Sequence, residues 1–148
     1  MLSYSALIEQ DENKKYIVTF RDIPEAITCG DTLEEARIMA TDALLTALEF
    51  YFEDRRLIPM PTKAEKGEEL IGLPPIAVAK ILLLNELIKQ NVSNSELASR
   101  MHTTSAYIHK LIHLNYAVKI DMIDAALNQL GKQLEINLAP IHYIFNVN

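Results

Sequence analysis

The sequence has 148 residues, of which 49% are hydrophobic and 23% charged, a composition that indicates a folded core and excludes a wholly disordered chain. The single cysteine excludes an intrachain disulfide framework and a cysteine-rich metal site. The first residues lack the basic and apolar segments of a signal peptide. Residues 71–88, the most apolar stretch, are interrupted by two prolines and two charges, which is too often for a bilayer span. We therefore expect a cytoplasmic protein with no membrane partner.

The formal net charge of −6 is divided unevenly along the chain. Residues 1–75 carry 8 basic and 15 acidic side chains, whereas residues 76–148 carry 6 basic and 5 acidic ones and all four histidines. This asymmetry predicts two modules with different partners. The acidic module suits a basic protein, and the nearly neutral module tolerates an anionic partner.

The first 75 residues predict an α+β domain with a three- to four-stranded sheet and one long helix. Strand patterns occupy residues 2–8, 16–20 and 26–29. Thr32 and Glu35 have the spacing of a capping box, which begins a helix with an apolar stripe that continues to about residue 54. One face of a small sheet needs such a helix as a cover. Cys29 is expected to be a small buried residue of this domain.

A proline-rich joint follows the long helix. Residues 59–75 hold four of the six prolines and two of the four glycines. The segment of about 57–75 is therefore a linker, in which residues 68–71 form an edge strand as an alternative. The predicted regions are a first domain at 1–75, a helical domain at 76–138 and a tail at 139–148.

The second half has helical periodicity throughout. Helices are predicted at 76–90, 94–101, 104–113 and 120–130. Ser93 and Glu96 form a second capping box, and Gly131 is placed to cap the last helix. This half is therefore predicted to be an all-α domain.

Residues 94–113 fit a helix-turn-helix. Small or apolar residues have the spacing that packs the two helices together: Leu97, Ala98, Met101, Ile108 and Leu111. The outward N-terminal face of the second helix is the one that enters the DNA major groove in this motif. His102 replaces the glycine usual in the turn, which predicts a slightly strained backbone of positive φ. The alternative is an ordinary helical hairpin with the same pattern.

DNA-binding candidates lie on that face and at the helix starts. They are Ser93, Asn94, Thr104, Ser105, Ala106, Tyr107, His109, Lys110 and Lys119. Because Lys110 and Lys119 are the obvious phosphate-binding cations, useful affinity for double-stranded DNA requires a dimer or a higher oligomer. The tail, with apolar residues at 141, 143, 145 and 147, is either a strand that pairs with another chain or a frayed terminus.

The order of these parts resembles the HicB antitoxin family over all but about the last ten residues. In the first half the resemblance depends on Phe20-x-Asp22-Ile23-Pro24 and Gly30-Asp31-Thr32-Leu33-Glu34-Glu35-Ala36. In the second half it depends on Ala79-Lys80-Ile81, Ser93-x-x-Glu96-Leu97-Ala98 and Lys119-Ile120-Asp121. Pro24-Glu25-Ala26 departs from the family, which often has Pro-Gly-Cys there.

The resemblance implies a partial ribonuclease-H-like fold for the N-terminal domain. It also implies that this domain binds HicA, a small basic ribonuclease, and that the C-terminal domain binds the promoter of its own operon. Dimers or tetramers are common in the family. These implications describe an antitoxin and autorepressor without a cofactor or catalytic activity. The competing interpretation is a solitary transcriptional regulator whose N-terminal domain binds another ligand or protein.

Other chemistry is weighed and set aside. Two-metal nuclease chemistry needs converging carboxylates, but the available acids, Asp11, Asp22, Asp31 and Glu35, lie near turns and a helix start. His109 and His113 would share a helix face as a metal pair, although the sequence offers no evident third ligand. Asp22 and Glu25 are instead predicted to contribute electrostatic complementarity to a basic toxin.

Overall fold

The computed structural model describes residues 2–140, which have an α+β fold with one four-stranded antiparallel sheet and five helices. The strands are β1 (Ser3–Gln10), β2 (Tyr16–Phe20), β3 (Ile27–Gly30) and β4 (Glu68–Gly72). The helices are α1 (Leu33–Glu53), α2 (Pro75–Lys89), α3 (Asn94–Arg100), α4 (Ser105–Leu111) and α5 (Ile120–Asn128). The apolar tail positions predicted to form a strand, Ile141, Tyr143, Phe145 and Val147, lie outside the described residues.

The described chain forms two compact units. Among the described residues, the sheet unit contains 2–44, 60–72 and 135–140, and the helical unit contains 45–59 and 73–134. The division falls within α1, so the second half of this helix groups with α2 to α5. The domain boundary predicted at residue 75 stays a prediction.

The sheet has the strand order β3-β2-β1-β4, and β4 is the edge strand that the sequence offered as an alternative to a linker. Alternation along the strands gives the sheet two faces. The inner face carries residues that are at most 5% exposed: Tyr4, Ala6, Val18, Phe20 and Ile71. The outer face carries Ser5, Leu7, Glu9, Ile17, Thr19, Ile27, Cys29, Glu68 and Leu70.

The first half of α1 covers the inner face. Arg37 on this helix makes a bidentate ion pair with Glu69 of β4, with both N···O distances at 2.9 Å. Gly30 ends β3 so close to the helix start that a Cβ atom would lie 2.5 Å from the Ala36 backbone nitrogen. The helix begins at the predicted capping box, where Thr32 Oγ1 accepts from the Glu35 backbone N–H at 3.0 Å. Glu35 in turn accepts from the Asp31 backbone N–H at 2.8 Å.

Cys29 is exposed, which corrects the prediction that it is buried. It precedes Gly30, whose position is on the inner face, and strand alternation therefore directs the Cys29 side chain to the outer face. The residue type suggested burial, but the position in the strand determines the outcome.

Four of the described helices, α1, α2, α3 and α5, end in a recurrent left-handed cap, whereas α4 does not. Four residues within two positions of a helix C-cap have positive φ angles: Arg55 (51°), Asn91 (53°), His102 (53°) and Gly131 (75°). At each of them the next backbone N–H donates to a carbonyl five residues earlier, as in Thr103 N to Ala98 O at 2.9 Å. These bonds satisfy carbonyl groups that the helix end would otherwise leave without a partner. The predicted C-cap role of Gly131 and the positive φ of His102 are both confirmed.

Candidate functional site

The start of α3 is fixed by its own side chains. Ser93 Oγ accepts from the Glu96 backbone N–H at 3.1 Å, as the capping box predicts. The Glu96 carboxylate accepts from Arg100 at 2.6 Å, and Arg100 also donates to the Gln129 carbonyl at 3.1 Å. This chain of bonds connects both ends of α3 to the end of α5.

The turn between α3 and α4 has a defined geometry. His102 lies at φ 53°, and its backbone N–H donates to Ser99 O at 3.2 Å. Thr104 then caps α4, because its Oγ1 accepts from the Tyr107 backbone N–H at 3.1 Å. The backbone therefore reverses within a few residues, with hydrogen bonds at both helix ends.

The side chains that pack α3 against α4 are buried, as their spacing in the sequence predicts. Leu97, Ala98, Ile108 and Leu111 are at most 4% exposed, while Met101 is half-buried. The predicted outward face of α4 is exposed at Thr104, Ser105, Ala106, His109 and Lys110. Tyr107 is half-buried, so its ring contributes to packing as well as to the surface.

Two histidines stack at the end of α4. The ring centroids of His109 and His113 lie 3.7 Å apart with an interplanar angle of 28°. His113 Nδ1 donates to the His109 carbonyl at 2.8 Å, and the Tyr116 ring approaches His109 edge-on at 5.7 Å. Within residues 2–140, no group of three or more His, Cys, Asp or Glu side chains is arranged to hold a metal ion.

A buried lysine holds the segment that leaves α4. Lys80 of α2 is 1% exposed, and its ammonium donates to three main-chain oxygens. These acceptors are Lys110 O at 3.2 Å, His113 O at 2.5 Å and Tyr116 O at 2.5 Å. Burial lowers the pKa of Lys80, and the nearby negative charge of Glu49 opposes this shift.

Glu49, in the second half of α1, binds the same segment from another side. Its carboxylate accepts from the Leu114 backbone N–H at 2.9 Å. Lys80 and Glu49 therefore satisfy carbonyl and N–H groups in the last turn of α4 and just beyond it. Together they fix the position of the helix whose exposed face contains most of the DNA-binding candidates.

The remaining DNA-binding candidates lie at helix starts. Ser93 is exposed, and Lys119 is exposed at the N-cap position of α5. Asn94 Oδ1 accepts from Arg55 Nη1 at 2.8 Å, and Arg55 also donates to the Val92 carbonyl. Burial lowers the pKa of Arg55. The Asn94 side chain is thus part of the contact that joins the end of α1 to the start of α3.

The two predicted toxin-binding acids have different environments in the sheet unit. Asp22 accepts from the Thr62 backbone N–H and from the Thr62 hydroxyl, both at 2.8 Å. Neighbouring Arg21 donates to Thr62 Oγ1 at 2.6 Å and to Glu68 at 2.7 Å. Asp22 therefore helps to hold the segment around Thr62, which follows α1, in place. Glu25 is exposed.

The sequence interpretation missed Lys80, Glu49 and Arg55 as positioning residues. The sequence does indicate a structural role for Lys80, because a lysine within the apolar stretch at 71–88 needs hydrogen-bond acceptors if that stretch is buried. Its partners could not be named, because they follow in sequence by 30 or more residues.

None of the helices among residues 2–140 is sufficiently long and apolar to cross a membrane.

Comparison with known proteins defines the class. Residues 3–82 match the family model described as "HicB_like antitoxin of bacterial toxin-antitoxin system". The chain is 48% identical over 135 residues to Antitoxin HicB 2 of Photorhabdus laumondii subsp. laumondii, covering 91% of this chain and 95% of that protein. It is 43% identical over 121 residues to Antitoxin HicB of Escherichia coli strain K12, covering 82% and 88% respectively.

A third relative, Antitoxin HicB of Pseudomonas fluorescens, is 34% identical over 139 residues, covering 93% of this chain and 94% of that protein. The class is therefore that of antitoxins from bacterial toxin-antitoxin systems, not of enzymes. Within this class, the chain belongs to the HicB-like antitoxin family.

Proposed function

We propose that this chain neutralises a small HicA-type, mRNA-cleaving ribonuclease and represses its own operon by binding promoter DNA. In this proposal the sheet unit, a partial ribonuclease-H-like fold, binds the toxin. The helical unit binds the operator through a helix-turn-helix formed by α3 and α4. The neutralisation is steric and electrostatic and requires no catalytic group or cofactor.

The observation that carries the proposal is the charge difference between the two units. The sheet-unit residues 2–44, 60–72 and 135–140 contain six basic and thirteen acidic side chains, a net charge of −7 with histidine neutral. The helical-unit residues 45–59 and 73–134 contain eight basic and seven acidic ones, a net charge of +1. An acidic surface attracts a basic ribonuclease, whereas only the second unit can approach a polyanion without strong repulsion.

The DNA-binding part is supported by the local geometry of α3 and α4. Both helices are capped by hydroxyl groups, their facing residues are buried, and the start of α4 presents a row of small or polar exposed side chains. Small residues at this position allow the helix to approach base edges closely. Lys110 and Lys119 are exposed and available for phosphate contacts.

Self-association is part of the proposal, because one α4 face with few cations gives a small interface. A dimer or tetramer would present two such helices to a two-fold operator site and double the number of phosphate contacts. The operator would then contain two half-sites about one helical turn, roughly 34–36 Å, or a multiple of it apart.

Affinity purification of the tagged chain from its native cell, followed by intact-mass analysis, tests the proposal. We expect a stoichiometric, basic protein much smaller than this chain to remain bound through a moderate salt wash. We also expect the purified complex to retard its promoter fragment in a gel shift. Promoter binding without a stable basic partner would favour the solitary regulator, and loss of both activities would contradict the proposed function.

A further inference from the structure

A cleft within the helical unit lies between the second half of α1, the start of α2 and the segment after α4. Its volume is about 340 Å³, which is sufficient for a small organic molecule. The apolar part of its wall includes Phe50 of α1, Ile76 and Ala77 of α2, and Leu114 after α4. Phe50 is 54% exposed, so an aromatic ring at this cleft is open to solvent.

Two carboxylates line the α1 side of this cleft. Glu49 and Glu53 are four residues apart, so they share a face of the helix with Cβ atoms about 5–6 Å from each other. Glu53 is exposed and makes no ion pair with any residue in the described part of the chain. Because like charges at this spacing destabilise a helix, the pair is unfavourable unless a cation binds it.

The position of these two residues near the carboxyl end of α1 adds to the unfavourable electrostatics. The terminal carbonyl groups of a helix carry partial negative charge, which favours cations there. The last turn of α1 contains no basic residue. Arg55, which follows, donates to Asn94 Oδ1 and to the Val92 carbonyl. Arg56 pairs with Asp54 at 3.7 Å. Both arginines are therefore bonded elsewhere.

Lys80 also lines the cleft, and it does not make the cleft a site for anions. Its charge acts on Glu49 and offsets part of the negative charge there. Its three ammonium hydrogens already bond to main-chain oxygens, which leaves no donor for an anionic ligand. One oxygen of Glu49 accepts from the Leu114 N–H, and the other has no hydrogen bond within residues 2–140. The free acceptors at the cleft are thus carboxylate oxygens.

We propose that this cleft binds a short aliphatic diamine of the putrescine type. Its two ammonium groups pair with Glu49 and Glu53, and its methylene chain packs against Ile76 and Leu114. The Phe50 ring adds a cation–π contact to one ammonium group. A hydrated metal ion gains nothing from the apolar wall, which is why an organic cation suits the cleft better. The site is independent of the proposed function, because neither toxin nor DNA contributes to it.

Calorimetric titration of the purified full chain with putrescine tests this proposal. Three comparison probes separate the contributions: butylamine carries one ammonium group, butanediol carries none, and magnesium chloride supplies a divalent cation without methylene groups. We expect saturable binding of putrescine at one site per chain and about fivefold weaker binding of butylamine. Butanediol should not bind, and magnesium at matched ionic strength should not displace putrescine.

Matched variants locate the bound diamine. Glu53→Gln removes one carboxylate from the cleft and should weaken putrescine binding about fivefold. Glu12→Gln removes the same charge from an exposed turn of the sheet unit and should bind putrescine as the parent does. Thr46→Arg places a guanidinium on the cleft wall, three residues before Glu49, and should abolish binding. Circular dichroism establishes that each variant is folded.

Three results would overturn the inference. Equal weakening by Glu53→Gln and Glu12→Gln would mean that putrescine responds only to the net charge of the chain. Displacement of putrescine by magnesium at matched ionic strength would mean that the apolar wall plays no part. Undiminished binding to folded Thr46→Arg would place the diamine outside the cleft. The absence of saturable binding to the parent chain would exclude the site altogether, whatever the outcome of the toxin and promoter experiments.

Discussion

The Nζ atom of Lys80 lies 2.5 Å from the main-chain oxygen of His113, 33 residues later in the chain. The same ammonium also donates to Lys110 O and Tyr116 O, so its three hydrogens have three acceptors. An ammonium that is 1% exposed is tolerated because these bonds replace its hydration. The consequence is that α2 sets the position of the end of α4.

Replacing Lys80 with methionine retains the length and apolar stem of the side chain but removes the three hydrogen bonds. We expect Lys80→Met to lower the free energy of unfolding by about 1–3 kcal/mol, because buried carbonyl groups lose their donor. Chemical denaturation measures this effect. Lys89→Met, at an exposed position of the same helix, is the control and should remain within about 0.5 kcal/mol of the parent. Equal stability of the two variants would contradict the role assigned to Lys80.

Replacing the exposed side chains of α4 should separate the two proposed activities. We expect the combined change Tyr107→Ala, His109→Ala and Lys110→Ala to abolish specific operator binding and to leave toxin binding intact. A gel shift with the operator and a pull-down of the toxin measure the two activities on the same preparation. Retained operator affinity would refute the assignment of α4 as the recognition helix.

Lys110 alone gives a quantitative test of phosphate contact. If its ammonium contacts a DNA phosphate, Lys110→Ala should reduce the slope of log affinity against log salt concentration by about 0.9 per site. Fluorescence anisotropy of a labelled operator over a salt series measures the slope. Lys132→Ala, an exposed lysine after α5, should leave it unchanged. A parallel loss of affinity at every salt concentration would instead indicate that Lys110 acts through the fold.

The cap of α4 can be tested with two substitutions at one position. Thr104→Ala removes the acceptor of the Tyr107 backbone N–H and should cost about 1 kcal/mol of unfolding free energy. Thr104→Ser keeps a hydroxyl at the same place and should recover most of that loss. If serine and alanine destabilise the chain equally, the methyl group rather than the cap accounts for the effect.

The Arg21–Glu68 ion pair predicts a pH dependence of stability. The Arg21 guanidinium hydrogen-bonds to Glu68 and lowers the pKa of that carboxyl below its ordinary value of 4.5. A lowered folded-state pKa means that this contribution is fully present above pH 4.5 and is lost as the pH falls through the lowered value. The stability difference between the parent and Arg21→Met should therefore shrink in acid. Denaturation series above and below that range measure it, and a difference that grows in acid would contradict the sign.

Local sequence signals predicted the helix starts because the groups that cap a helix are only three residues apart. The Thr32 and Ser93 caps, the Gly131 cap and the strand alternation all follow from such short-range patterns. The positive φ of His102 could be predicted for the same reason, from a turn that requires a left-handed residue.

Long-range polar contacts could not be predicted in this way. Asp22 stays a predicted toxin-binding acid, but the sequence does not indicate that its carboxylate also accepts from Thr62, 40 residues later. Asn94 stays a predicted DNA-binding residue, but the sequence does not indicate that its side-chain oxygen accepts from Arg55, which follows α1. The sequence shows that a polar side chain needs a hydrogen-bond partner when it is buried, but the fold determines which partner lies within hydrogen-bonding distance.

The exposure of Cys29 gives the unaltered chain a chemical label site on the outer face of its sheet. Because the sequence contains no second cysteine, a maleimide reagent would attach at one known position. The rate of alkylation in the free chain and in a complex would then report solvent access to β3 directly. Attachment of a fluorophore or spin label there would turn the same thiol into a reference point for distance measurements, without any engineered residue.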